Sequence, residues 1–268
     1  MIRRVLSAYS GQATKGSGLR YALRLARASG ASVSGVLRHD ASYLESTVAK
    51  AIPQALRDQL REFDAAQITE ISQRFEQIAA EEGFSDGVAF HDLRESPALR
   101  IGNIAAYHDV IVMGHHSDAL HEHHLSARPD LIAMIGGRPV IIVPNGYDGP
   151  VEPVRISVLW EDGRNAMSAL RAAVNLFPSS SLTLVTKNAS GGDVPGGGVE
   201  AFLAAQDRKA EKHIIDPQSE RDPAAWRAAF KTCGADMIVG GIDAEFEHSG
   251  SFKGRLFSAL DVPCLIAN

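Results

Sequence analysis

Short, wholly apolar runs alternate along the chain with longer segments in which apolar residues recur every three or four positions. In the first half the short runs predict strands at RRVLSAYS (3–10), ASVSGVLR (31–38), 88–90, HDVIVMG (108–114) and RPVIIVP (138–144). The intervening segments predict helices at 19–26, 54–83, 96–107 and 128–135. Strands that are apolar throughout are typically covered on both faces, so the pattern predicts an α/β fold with a parallel sheet.

The longest predicted helix spans residues 54–83 and is amphipathic. Leu56, Leu60, Phe63, Ile71, Phe75 and Ile78 fall on one stripe, and Gly83 provides a typical helix end. An apolar stripe of this kind is typical of a helix that packs one face against the protein core.

The second half of the chain repeats the first. After the turn-rich segment NGYDGPVEP (145–153), VRISVLWED repeats the first strand, ADMIVGG repeats HDVIVMG with Asp236 on Asp109, and VPCLIAN repeats RPVIIVP. The glycine-rich stretch 189–198 stands where the first half has its long helix. We predict two copies of one domain, 1–146 and 152–268, each with a five-stranded parallel sheet, related by an approximate two-fold axis.

A loop after the fourth strand of each half carries the clearest site signal, because ligands of open parallel sheets bind beyond the carboxyl ends of the strands. In the second half its key positions are Gly241, Ala244, Gly254 and Arg255. In the first half the corresponding positions are Gly114, Ser117, Ala127 and Arg128, each 127 residues earlier.

With these features the chain resembles the universal stress protein family in its tandem form. The resemblance implies Rossmann-like domains of the adenine nucleotide alpha hydrolase type. It also implies a G-x2-G-x9-G-[ST] loop that holds ATP phosphates on backbone N–H groups. In members that bind ATP, an acidic residue after the first strand contacts the nucleoside; Glu161 holds this position in the second half and Ser10 in the first.

Both loops depart from the ATP-binding pattern. The first half keeps only Gly114 of the three glycines, and the second half has Ala244 in place of one. Arg128 and Arg255 stand where a serine or threonine belongs. An arginine can hold phosphate through its fork of donors or lie across an empty pocket, and we favour the second. We expect no cofactor, with ATP in the second half as the alternative.

The first-half loop is rich in histidine: five of the ten histidines lie in MGHHSDALHEHH (113–124). Imidazole suits zinc, nickel or copper, which makes a metal site an alternative function for residues 115–124. The spacing matches no strong metal signature, however, because Leu125 stands where HExxH needs its second histidine. We predict no tight metal site; an exposed polar loop and a pH-sensitive surface are the other interpretations.

Composition narrows the remaining possibilities. A net charge of −5 gives no reason to expect nucleic acid or an acidic membrane as partner, and no apolar run is long enough to span a bilayer. Cys233 and Cys264 form no disulfide framework, which fits a cytoplasmic protein. No hydrolase elbow or P-loop occurs, and Asp40, His91 and Asp92 are more simply strand-end caps than catalytic residues.

The sequence therefore predicts a non-enzymatic stress-response protein with a binding or regulatory role. We expect the two domains to pair within the chain through their last strands, and the sequence leaves a homodimer open. Tyr9 and Trp160 are expected to pack between sheet and helix.

Overall fold

The structure is a computed structural model of the whole chain. It describes residues 1–11, 16–37, 53–84, 88–93, 101–115, 128–187, 197–242 and 251–268, without the side chains at 57, 60, 61 and 64. No helix in these ranges is long and apolar enough to cross a membrane.

Ten strands form one sheet in the order β3-β2-β1-β4-β5-β10-β9-β6-β7-β8. The strands are β1 (Arg4–Ala8), β2 (Ser32–Leu37), β3 (Ala89–Asp92), β4 (Val110–Gly114), β5 (Val140–Val143), β6 (Arg155–Leu159), β7 (Ser181–Thr186), β8 (Ala210–Ile214), β9 (Met237–Gly241) and β10 (Cys264–Ala267). Both halves thus have five strands, as the sequence predicts.

Helices lie on both faces of the sheet. They are α1 (Ser17–Ser29), α2 (Gln54–Glu81), α3 (Ile101–Ala105), α4 (Pro129–Gly136), α5 (Arg164–Leu176), α6 (Gly198–Ala204), α7 (Pro223–Thr232) and α8 (Phe252–Phe257). The α/β class is therefore confirmed.

The two halves join through their closing strands. β5 pairs with β10 in antiparallel register, with Ile141 opposite Leu265, whereas the pairs within each half are parallel. The strand order of the second half mirrors that of the first across this pair, which gives the approximate two-fold relation that the repeat predicts.

The hydrophobic core also crosses the boundary between the halves. One cluster of buried side chains holds both Val5 and Val158, and a second cluster holds both Leu6 and Leu159. Because successive strand residues point to opposite faces, the two clusters fill the two faces of the one sheet. The division at 146 and 152 stays a prediction, since sheet and core are shared.

Only the second part of α2 packs as the sequence predicts. Ile71, Phe75 and Ile78 are buried, but the exposed fractions of Leu56 and Phe63 are 46% and 62%. The side chain of Leu60 lies outside the described residues. The helix is confirmed, but its apolar stripe is not buried at Leu56 and Phe63, because helical periodicity does not reveal where the body of the sheet ends.

The repeated aspartates stabilise the starts of the first strands. Asp109 accepts hydrogen bonds from the backbone N–H groups of Arg3 and Arg4, at 2.7 and 2.9 Å. Asp236 accepts the corresponding bonds from Val154 and Arg155, at 3.2 and 2.9 Å. These residues lie at the amino ends of the strands, opposite the edge where ligands of such sheets bind.

The segment between the halves is docked on α1. Tyr21 donates its hydroxyl hydrogen to the carbonyl of Val151 at 2.9 Å, and the N–H of Gly146 donates to the Ser17 hydroxyl at 2.9 Å. Arg24 forms an ion pair with Asp148. Residues 145–153, which the sequence predicts to be a linker, therefore pack against α1. These contacts hold the start of the second half next to α1.

Candidate functional site

Each half of the sheet has one switch point, where the chain reverses the direction in which it adds strands. In the first half it lies between β1 and β4, and in the second between β6 and β9. Crevices at the carboxyl ends of such strand pairs are where open α/β sheets bind ligands. Ser10 and Gly114 lie at the first switch point, and Glu161 and Gly241 at the second.

The second switch point is occupied by a lysine of the chain itself. The Lys253 ammonium lies 2.6 Å from Oε2 of Glu161 and donates a hydrogen bond to the carbonyl oxygen of Gly241 at 3.0 Å. The Lys253 side chain is 16% exposed and the Glu161 side chain 46%. The ammonium thus bridges the ends of β6 and β9, and the acid that the sequence singles out already has a cationic partner.

The predicted phosphate loop leads into the short helix α8. The hydroxyl of Ser251 accepts a hydrogen bond from the N–H of Gly254 at 3.1 Å, so this backbone donor is already used as a helix cap. Arg255 is exposed on α8, and the ammonium of Lys253 on the same helix lies between the strand ends. Ala244 lies outside the described residues.

Gly241 has a packing role that needs no ligand. A Cβ on this residue would lie 2.4 Å from the backbone carbon of Asn165 and 2.5 Å from the backbone nitrogen of Ala166. The first turn of α5 therefore approaches the end of β9 too closely for any side chain. In the first half Gly18 of α1 makes the equivalent approach, since its Cβ would lie 2.4 Å from the nitrogen of Gly114.

In the first half, the start of α4 carries its own anion. Asp130 is 1% exposed and lies in the first turn of α4. Its carboxylate accepts hydrogen bonds from Nη2 and Nε of Arg128, at 2.5 and 3.3 Å. Pro129 at the first helical position has no N–H to offer. A phosphate at this helix start would meet a buried carboxylate and one donor fewer. Ser117 and Ala127 lie outside the described residues.

The aromatic residues beside the switch points belong to the core, as the sequence predicts. Tyr9 and Trp160 are each 6% exposed. The Tyr9 ring lies 5.8 Å from the ring of Phe75, and the Trp160 indole N–H donates to Asp162 at 3.1 Å. Burial raises the pKa of Tyr9 to about 12 despite the nearby arginines Arg74 and Arg20, so its hydroxyl stays neutral.

Most of the histidine-rich segment, residues 116–124, lies outside the described residues, and so does Asp40. His115 is described at the end of β4, where burial lowers the pKa of its imidazole. Within the described ranges no three His, Cys, Asp or Glu side chains cluster as metal ligands would. His91 and Asp92 end β3, the edge strand, and β2 separates them from the first switch point.

Two residues of the site were not found by sequence reasoning, Lys253 and Asp130. Lys253 directly precedes Gly254 of the repeated loop, and Glu161 follows the first strand of the second half. Their opposite charges at neighbouring parts of the predicted site are the signal that indicates an ion pair. Asp130 follows a proline at a helix start, where an acid is favoured by the helix dipole.

No protein-family model and no curated protein sequence matches the chain. Solved structures do match. A universal stress protein from Archaeoglobus fulgidus superposes with a TM-score of 0.59 at 14% identity, over 100% of this chain and 96% of that one. A putative universal stress protein from Pseudomonas aeruginosa gives a TM-score of 0.53 at 15% identity, over 99% and 93%. The chain accordingly has the universal stress protein fold over its whole length.

Proposed function

We propose that the chain is a stress-response protein that acts by binding or regulation and not by catalysis, and that neither of its nucleotide-type sites holds ATP tightly. The observation that carries this proposal is that each half places a charged side chain of its own at the candidate site. In the second half it is Lys253, held by Glu161 and Gly241; in the first it is Asp130 at the start of α4.

Both arrangements oppose a bound nucleotide. The Asp130 carboxylate already holds the Arg128 guanidinium, so a phosphate at the helix start would have to compete with a buried anion for that cation. The Lys253 ammonium occupies acceptors of Glu161 and Gly241 at the ends of β6 and β9. A ligand that uses these acceptors must displace the ammonium of a mostly buried side chain from two partners, which lowers the affinity of the ligand.

ATP binding by the second half is the other candidate, and specific residues favour it. Gly241, Gly254 and Glu161 are present there, and the Glu161 side chain is partly exposed to solvent. In that case Lys253 would turn from Glu161 and Gly241 to phosphate, and the exposed Arg255 on the same helix would supply a second cation. The metal-binding alternative rests on residues outside the described ranges and stays a sequence prediction.

Calorimetric titration of the native chain with ATP and magnesium tests the proposal. We expect no binding tighter than about 1 mM, a free energy of about −4 kcal/mol. We also expect no release of phosphate during prolonged incubation with ATP. Micromolar affinity, or turnover that follows the protein through purification, would overturn the proposal in favour of the ATP-binding candidate.

A further inference from the structure

The second switch point contains a matched set of one cation and two acceptors. Lys253 starts on α8, and its side chain reaches back to the ends of two neighbouring strands: Glu161 follows β6 and Gly241 ends β9. On one side of the switch point, the backbone of the first turn of α5 lies against Gly241 with no room for a Cβ. The ammonium therefore stands at the position that the topology of the sheet assigns to a ligand.

An ammonium has three donor hydrogens and no acceptor, and its burial must be compensated by partners. Here two partners are a carboxylate oxygen at 2.6 Å and a backbone carbonyl oxygen at 3.0 Å. Without Lys253, these two oxygens would face the crevice as a pair of acceptors. Such a pair suits adjacent hydroxyl groups, each of which can donate one hydrogen bond, and it repels an anion.

We propose that Lys253 is the residue that decides what the second switch point accepts. In the native chain its ammonium closes the crevice from within. Without it, the Glu161 carboxylate and the Gly241 carbonyl bind the vicinal hydroxyl groups of a nucleoside. This inference rests on the proposed function, since it names the side chain that keeps the second site empty. It also places the block at Lys253 and not at Arg255, the residue that sequence reasoning favours.

The test compares Lys253→Ala, which opens the crevice, with Arg255→Ser, the matched control on the same helix. The probes are adenosine, which has the hydroxyl pair and no charge, and ATP with magnesium. We expect adenosine to bind Lys253→Ala at least ten-fold more tightly than it binds the native chain, and Arg255→Ser to behave like the native chain. Adding Glu161→Gln to Lys253→Ala should weaken adenosine binding again, because a carboxylate acceptor is lost.

A folded Lys253→Ala variant that binds adenosine no better than the native chain would overturn the inference, and so would a gain confined to Arg255→Ser. If Lys253→Ala does not fold, Lys253→Met keeps the stem and removes the charge. NMR of the lysine ammonium groups in the native chain adds a test without any Lys253 variant. One ammonium should exchange slowly with water and lose this protection in Glu161→Gln; absence of any such signal contradicts the contact.

Failure of this inference and failure of the proposed function give different results. If the native chain binds ATP at micromolar concentration, the proposed function is wrong whatever Lys253 does. If the native chain binds neither probe and Lys253→Ala binds neither, the proposed function stands and the assignment of Lys253 is wrong.

Discussion

His108 is a histidine that the fold keeps uncharged. It is 4% exposed, and its Nδ1 lies 2.9 Å from the carbonyl oxygen of Ile104, so Nδ1 carries the proton of the neutral ring. Its Nε2 is buried, without a hydrogen-bond partner among the described residues. Burial lowers the pKa of the imidazole; the bond to Ile104 and nearby Asp109 oppose this, while Arg4 adds to it.

This lowered pKa predicts a loss of stability in mild acid. The pKa of His108 is about 6.5 in the unfolded chain and lower in the folded protein. Well above the unfolded pKa, the histidine is neutral in both states and does not make the free energy of unfolding depend on pH. Below the unfolded pKa, the unfolded state binds a proton that the folded state does not. The free energy of unfolding therefore falls with falling pH until the pH passes below the folded pKa.

Urea unfolding between pH 7.5 and 5 measures the effect. We expect the native chain to lose more stability over this range than His108→Asn, whose amide can still donate to Ile104. The other histidines titrate in both proteins and cancel in the difference. Equal slopes would show that His108 is accessible to protons in the folded state.

Along α2, two phenylalanines on one helix meet opposite environments. Phe75 is 1% exposed, and its ring lies 4.5 Å from the ring of Phe90 and next to Gly35, where a Cβ would come within 2.4 Å of it. Phe63 is 62% exposed. The helix is therefore anchored by its second part, and its first turns gain little from the sheet.

Phe75→Ala should consequently lower the free energy of unfolding by about 3–5 kcal/mol, through lost burial and the cavity that remains. Phe63→Ala, the matched control three turns earlier, should change it by no more than about 0.5 kcal/mol. Denaturant unfolding followed by far-ultraviolet circular dichroism compares the two. A similar loss for both variants would mean that the first turns of α2 are covered by another part of the protein.

At the element scale, sequence patterns predict best where the physical cause is local. The apolar runs of β4 and β5 gave correct strands because burial on both faces requires every position to be apolar. Gly83 was correctly placed after the helix end, with a φ of 76°. The two candidate sites, which the shared loop spacing indicates, stay a prediction.

What the sequence did not predict depends on contacts across the fold. Nothing local indicates that the Lys253 side chain points back to β6 and β9 and not into solvent, since both directions suit a lysine near a helix start. The mismatch of Leu56 and Phe63 has the same origin, because the extent of the sheet beneath a helix is set by strands distant in sequence.

For the molecule as a whole, the β5–β10 pair predicts that neither half is complete alone. In the isolated fragment 1–149, β5 would become an edge strand, and Ile141 and Ile142, buried in the intact chain, would lose their neighbours on β10. We expect this fragment to self-associate through β5, and co-expression with 150–268 to give a one-to-one complex.

Size-exclusion chromatography with light scattering distinguishes these states. The fragment co-expressed with 150–268 is the control, since β10 then covers the edge of β5 and should suppress self-association. A monomeric fragment 1–149 with a well-dispersed NMR spectrum would contradict the prediction and show that β5 does not need β10.

Joining the two halves in one chain also changes how the molecule can evolve. In a dimer of identical subunits, every substitution appears twice, so a change that closes one site closes both. Here the antiparallel contact of β5 with β10 is kept within a single polypeptide, and each crevice is encoded by its own codons. The two halves are therefore free to differ: Asp130 lies at a helix start in the first half, whereas Lys253 lies between strand ends in the second.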